Sequence, residues 1–153
     1  IIRLWHKDLI PVLPRQQLLG QWRECCAIAK SIAEKGTPNH ILVNRIMDYP
    51  LEHFYRYCGK VFYQFIDRGY KCDEHKVLCY VEHPFTDVFY NQKLLCDDAL
   101  FHDWHNNSYF WQCFFNLEEK YDCGGISEEE WDKITSGVYQ YMSRGINESV
   151  SCV

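Results

Sequence analysis

The sequence predicts an all-α fold, a compact helical bundle forming one domain over residues 1–153. Three observations predict it. Apolar residues recur at helical spacing along every long segment. Pro and Gly stand at the ends of those segments, where helices start and stop. A capping sequence opens the last of them.

Residues 14–33 carry the clearest stripe: Leu18, Leu19, Trp22, Cys25, Cys26, Ala29, Ile32 and Ala33. Pro14 suits the first turn, where a missing N–H is harmless, and Gly36 and Pro38 end the helix. A second helix is expected over residues 40–47. Pro50 opens a third that runs to about residue 68 and closes at Gly69, with Phe54, Cys58, Val61, Phe62, Phe65 and Ile66 on its apolar face. Gly59 in its middle costs up to about 1 kcal/mol relative to Ala, so it predicts close packing against a neighbour.

From residue 71 to 107 the pattern is less regular, broken by Pro84, Asn91 and Asn106-Asn107. Short helices are expected over residues 74–81 and 93–104, although Val77-Leu78-Cys79-Tyr80-Val81 reads equally as a buried strand. Residues 109–121 read as a buried helix stopped by Gly124-Gly125. Ser127-Glu128-Glu129-Glu130 begins the last helix, whose stripe is Trp131, Ile134, Val138, Tyr141 and Met142 as far as Gly145. Residues 147–153 are expected to be loose.

A 47% hydrophobic, 24% charged composition is that of a globular protein. The sequence contains no run of 18 apolar residues, so no membrane span is expected. The opening Ile1-Ile2-Arg3-Leu4-Trp5-His6 lacks the apolar stretch of a signal peptide, and the expected setting is cytoplasmic. Nine cysteines cannot all pair within one chain, and they read as reduced, small core residues, Cys25, Cys58 and Cys113 above all. No Cys-x-x-Cys occurs, and no metal or cofactor is expected. The tightest ligand-like group, His102 and His105 with Cys113, supports only a minor reading as a metal-dependent hydrolase.

The net charge of −5 argues against a general polyanion binder, but it is unevenly distributed. Residues 1–70 hold ten Lys/Arg against six Asp/Glu, a balance of +4; residues 71–153 hold six against fifteen, a balance of −9. A phosphate-facing surface therefore belongs to the first half.

In that half, Arg15, Gln16, Arg23 and Glu24 are placed on the polar side of the first long helix, close to the basic start of the chain. Arginine offers a planar fork that matches phosphate oxygens. A carboxylate among arginines stays ionised and can orient a water, take a proton or stabilise a cation. Removing a base from a nucleoside develops oxocarbenium character at C1′, which a nearby anion stabilises. An ordinary solvated helix face would carry the same residues, with ion pairs worth about 0–1 kcal/mol.

The run Arg15-Gln16-Gln17-Leu18-Leu19-Gly20-Gln21-Trp22-Arg23-Glu24 resembles the signature of the small phage-type pyrimidine-dimer DNA glycosylases of the endonuclease V kind. Arg3 stands at a similar distance upstream, and His53-Phe54-Tyr55 leads into a helix ending Arg68-Gly69-Tyr70, as in that family. The similarity covers about the first 70 residues. The stretch from Arg3 to Glu24 also resembles an uncharacterised bacterial and phage branch of it.

The resemblance implies a bundle of the endonuclease V type acting on double-stranded DNA that carries a damaged or modified base. It implies glycosylic bond cleavage followed by strand scission, with Glu24 as the catalytic acid/base or electrostatic residue. It assigns Arg3 and Arg23 to phosphates, and Gln17 to a position where the family has a DNA-contacting His. Arg15 and His6 complete the expected DNA contacts. The family's nucleophile is the free α-amine of the residue before the N-terminal Arg, here Ile2. An α-amine with a pKa near 7.7–8.0 is partly neutral and nucleophilic at physiological pH. With Ile1 ahead of it the amine is displaced, so base release is expected to survive better than imine-based scission. A non-catalytic DNA- or protein-binding module on the same scaffold is the alternative, motivated by the acidic second half. His53 offers a further acid/base candidate, and Trp104, Tyr109, Phe110 and Trp111 offer rings for an unpaired base, against core roles for all of them.

Overall fold

A computed structural model describes residues 3–151, and among them there are helices and loops but no strand. An extended segment leads into a 3₁₀ helix, Lys7–Val12, and then α1, Arg15–Lys35. A loop and a second 3₁₀ helix, Asn44–Asp48, connect it to α2, Leu51–Asp67. Two short helices follow, α3 (His75–Leu78) and α4 (Thr86–Tyr90), then an irregular stretch. The long α5 (Asn107–Asp122) and α6 (Glu128–Ser151) complete the described chain. No helix in it is long and apolar enough to cross a membrane.

The first long helix forms for the reasons its sequence carries. Pro14 caps it, Leu18, Trp22, Cys25, Ile28, Ala29 and Ile32 turn inward, and Gly36 ends it at φ 74° with its N–H on the Ile32 carbonyl. Ala33, expected in the stripe, faces solvent. On α2, Phe54, Cys58, Val61, Phe62 and Phe65 are buried, while Ile66 is half exposed. Cys25, Cys58 and Cys113 are buried free thiols, as expected of small core residues.

Gly59 is where α2 meets α4. A Cβ built there would stand 1.9 Å from the Phe89 carbonyl oxygen, so the backbones can approach only because the side chain is absent. Gly59→Ala is expected to lower unfolding free energy by about 1–3 kcal/mol, the range for overpacking. Urea denaturation checks this, and an unchanged midpoint would contradict the contact.

Three expectations are corrected. Residues 40–47 form a tight turn and a 3₁₀ helix, because the Asn44 and His40 side chains take local backbone N–H groups: His40 N–H to Asn44 Oδ1 at 3.0 Å and Leu42 N–H to His40 Nδ1 at 3.3 Å. Residues 93–104 form successive turns rather than a helix, since distant side chains claim their backbone. Phe101 N–H donates to His53 Nδ1 (3.1 Å), Trp104 N–H to Tyr49 Oη (3.0 Å), and Lys7 Nζ donates to the Leu100 carbonyl (2.6 Å). The last helix continues past Gly145 to Ser151, where a loose tail was expected. The strand reading of residues 77–81 also falls, since they are helix and turn.

The α5–α6 pair closes the core by ring stacking. Tyr121 lies on Trp131 (centroids 4.6 Å apart, 9° between planes) and Phe110 on Tyr141 (3.7 Å, 7°). The capping box is present: Glu130 N–H donates to Ser127 Oγ (3.2 Å), and Glu130 Oε1 accepts from the Ser127 N–H (3.5 Å).

Candidate active site

The site begins with a clamp. Gln21 is 1% exposed, on the inner side of α1, and its amide fixes the extended chain ahead of it. Gln21 Oε1 accepts from the Trp5 N–H (2.7 Å) and the Tyr57 hydroxyl (2.9 Å), and Nε2 donates to the Arg3 carbonyl (3.0 Å). The Tyr57 hydroxyl also lies 2.5 Å from the Trp5 carbonyl, so its one proton is shared between the two acceptors, and Tyr109 donates to the Leu4 carbonyl (2.5 Å). Every polar atom of that amide has a backbone or buried partner, so residues 3–5 are held rigidly along α1.

This clamp sets Arg3 in the wall of a cavity that Glu24 also lines. Its volume is about 260 Å³, close to the roughly 300 Å³ lower end of small-molecule sites. One wall is α1, through Gln17, Gly20, Gln21 and Glu24 at i, i+3, i+4 and i+7. Arg3 and Trp5 form another, the Arg3 guanidinium lying 5.5 Å from the Trp5 ring centroid and its Nη1 3.9 Å from Cys113 Sγ. Asn116 and Lys120, one turn apart on α5, form the third.

The chemistry of these groups is uneven. Glu24 is partly buried, and desolvation pushes its carboxyl above the ordinary range, against the pull of nearby positive charge that includes His40 and Arg23. Gln17 lines the same cavity, and its buried amide oxygen has no hydrogen-bond partner in the protein. A buried acceptor without a donor is costly, so it is suited to an N–H brought by a ligand.

Of the residues singled out from sequence, Arg3, Gln17 and Glu24 are brought together. Arg23 is exposed about a third of a turn around α1 from the pocket face, near enough for its charge to act on Glu24. Arg15 does not share that face, which corrects the expected grouping. It lies about half a turn away, its guanidinium 5.0 Å from the Tyr70 ring centroid and its N–H on Glu130 Oε2. Ile2 lies outside the described residues.

His6 is also removed from the expected contacts. It is 1% exposed, Nε2 meets the His105 carbonyl at 2.9 Å and Nδ1 accepts the Asp8 N–H at 3.1 Å, so no ring nitrogen remains for a phosphate. Burial lowers its pKa from 6.5 to about 4, against the upward pull of Asp8, and burial likewise lowers His105. Both fold as neutral rings. The unfolded chain then binds more protons between pH 6.5 and about 4, so stability is present above that window and is lost as pH falls through it. His6 alone accounts for up to about 3 kcal/mol of that loss. Denaturation midpoints at neutral pH and near pH 4 check it; a flat profile would show solvated rings.

The other candidates have structural roles. His53 accepts a backbone N–H and stacks on Phe101 at 5.7 Å. Trp104 and Phe110 are buried, and Tyr109 holds Leu4. His102 is exposed beside Asp103, while His105 accepts the Lys7 N–H. Among the described residues no group of three or more His, Cys, Asp or Glu could hold a metal ion, which removes the His102–His105–Cys113 reading. Sequence reasoning missed Gln21 as the clamp and Asn116 and Lys120 as a wall. A fully buried amide three residues before Glu24 leaves no distinguishing mark in the sequence, and neither does contact across some hundred residues.

A partly buried carboxylate and an arginine thus line one pocket on an all-α scaffold. The chain belongs to the pyrimidine dimer DNA glycosylase family, whose sequence model matches residues 2–78. No curated protein and no solved structure matches it. The family supports a DNA glycosylase function and a DNA substrate. The matched segment supplies Arg3, Gln17, Gln21 and Glu24, and the pocket's third wall comes from beyond it.

Proposed function

We propose that the protein excises a damaged or modified base from double-stranded DNA, with Glu24 as the catalytic carboxylate. The observation that carries this reading is that Glu24 and Arg3 line one cavity, both from inside the family-matching segment.

The target nucleotide leaves the stack and its sugar approaches Glu24. As the C1′–N bond breaks, positive charge grows at C1′ and the carboxylate stabilises it. A water oxygen bonds to C1′, Glu24 accepts the proton that water releases, and the base departs with the bonding electron pair and is protonated from solvent. Arg3 and Lys120 hold phosphates on either side of the pocket, with Arg23 outside it, and the Gln17 amide oxygen accepts an N–H of the extruded base.

Strand scission is the finer part of the proposal. A neutral primary amine attacking C1′ in place of water gives an imine, and β-elimination from it breaks the 3′ C–O bond. The resemblance assigns that amine to residue 2; Lys120 carries a primary amine in the described pocket wall. Borohydride reduction on abasic duplex DNA, followed by mass spectrometry, tests this step. An adduct names the nucleophile by its position, and no adduct beside normal base release would leave a glycosylase without lyase activity. The excision itself is tested with duplexes carrying thymine dimers, abasic sites or hypermodified bases. Product from none of them would leave a DNA- or protein-binding module, and equal product from the Glu24→Gln protein would remove Glu24 from the reaction.

A further inference from the structure

The loop between α1 and the 3₁₀ helix Asn44–Asp48 holds two apolar side chains out of the core. Ile41 is 84% exposed and Leu42 45%, while the next residue, Val43, is fully buried. The exposure is built in. Val43 anchors the loop, and its N–H and that of Asn44 both donate to the His40 carbonyl (3.0 and 2.9 Å). The His40 N–H is on Asn44 Oδ1, Ser31 Oγ donates to the Thr37 carbonyl (2.7 Å), and Asn39 turns the chain at φ 57°. A fixed turn thus presents Ile41 at its tip.

Two observations place this tip in the neighbourhood of the pocket. His40, next in sequence, is close enough for its charge to act on Glu24. A second recess of about 300 Å³, lined by Ile41, Leu42 and Arg45, is walled by Tyr109 and Gln112 of α5, the helix whose next turns supply Asn116 and Lys120 to the catalytic cavity. Arg45, which lines the same recess as Ile41 and Leu42, is exposed, and its guanidinium lies 6.0 Å from the Trp104 centroid, so a cation stands in the recess beside the apolar tip. Extruding a base leaves an apolar gap between stacked neighbours, and aliphatic side chains inserted between base steps are a means of filling such gaps.

We propose that Ile41, backed by Leu42, is a wedge that enters the DNA base stack and occupies the gap left by the extruded nucleotide. The inference rests on the excision reading above. It makes this loop the element that opens the duplex for Glu24, and it assigns the cost of extrusion to a surface the chemistry does not touch.

The test uses thymine-dimer duplexes with 2-aminopurine beside the lesion. Unstacking is read as a fluorescence rise in the Glu24→Gln protein, and base release is read by single-turnover kinetics in the chain that keeps Glu24. Ile41 is exposed, so Ile41→Ala folds as before, which circular dichroism verifies. The expected result is a lost fluorescence rise and release slowed roughly tenfold or more on the duplex, with little change on the same lesion in a single strand, where no stack has to be opened. Ile41→Leu is expected to restore both. No rise with Ile41 intact, full duplex release by Ile41→Ala, or an equal loss on both substrates would each overturn the wedge. The two readings fail separately: a rise that depends on Ile41 without base release would sink the glycosylase alone, and release indifferent to Ile41 would sink the wedge alone.

Discussion

Replacing Glu24 with glutamine is expected to suppress base release while leaving the fold as stable as before, or more so. The two effects have one cause. Desolvation raises the Glu24 carboxyl above its ordinary range, so the ionised form is less favourable in the folded chain than in the unfolded one. Just above the ordinary carboxyl pKa the folded state binds more protons, and stability therefore falls as pH rises through the folded value. A neutral amide of the same shape avoids that loss, and at neutral pH Glu24→Gln should not unfold at lower urea than the unaltered chain. The difference should close as pH drops toward the ordinary carboxyl value. Activity goes the other way: an amide neither accepts the proton from water nor balances a cation at C1′, and a loss of roughly 10²–10⁴-fold in single-turnover release is expected. A variant both inactive and strongly destabilised would identify Glu24 as part of a structural ion pair; a variant fully active would remove it from the reaction. The acid limb of the rate profile is expected above the pKa of an ordinary glutamate, as the raised carboxyl requires.

Such separation of stability from activity marks a site whose residues are held for reaction rather than for packing. It also bears on what could be read from the chain alone. The long helices were legible because local signals agree with the fold: Pro14 and Gly36 bracket α1, and Ser127 with Glu130 opens α6. Residues 40–47 and 93–104 were not, because side chains decide them. Asn44 takes the His40 N–H and closes a local turn there, and His53, Tyr49 and Lys7 reach residues 100–104 from distant parts of the chain. Glu24 and Arg3 were legible as chemistry through a resemblance, yet no spacing could show that they share a cavity. Asn116 and Lys120 sit in the acidic half, whose net charge pointed away from a phosphate-facing role. Net charge sums over a whole surface, while a pocket is made by a few side chains.

Gln21→Leu is expected to cost both stability and activity, and the activity loss should exceed what the stability loss explains. The substitution keeps the volume but leaves the Trp5 N–H and the Arg3 carbonyl without partners in a buried place. At about 1–3 kcal/mol for each orphaned group, a loss of roughly 2–6 kcal/mol follows. The same two bonds tie the chain bearing Arg3 to the helix bearing Glu24, so their removal is expected to loosen the placement of Arg3 in the pocket wall. A misplacement of about 1 Å can cost roughly 10²-fold in rate. Gly59→Ala supplies the control, since it weakens the fold at the α2–α4 contact without touching the Gln21 clamp. Both variants are compared with the unaltered chain at a temperature where all are folded. Under those conditions Gly59→Ala should release base at nearly the unaltered rate and Gln21→Leu should not, with kcat falling along with kcat/KM. Equal rates for the two variants would reduce Gln21 to a packing residue, and the placement of Arg3 in the pocket wall would then be maintained by something other than this buried amide.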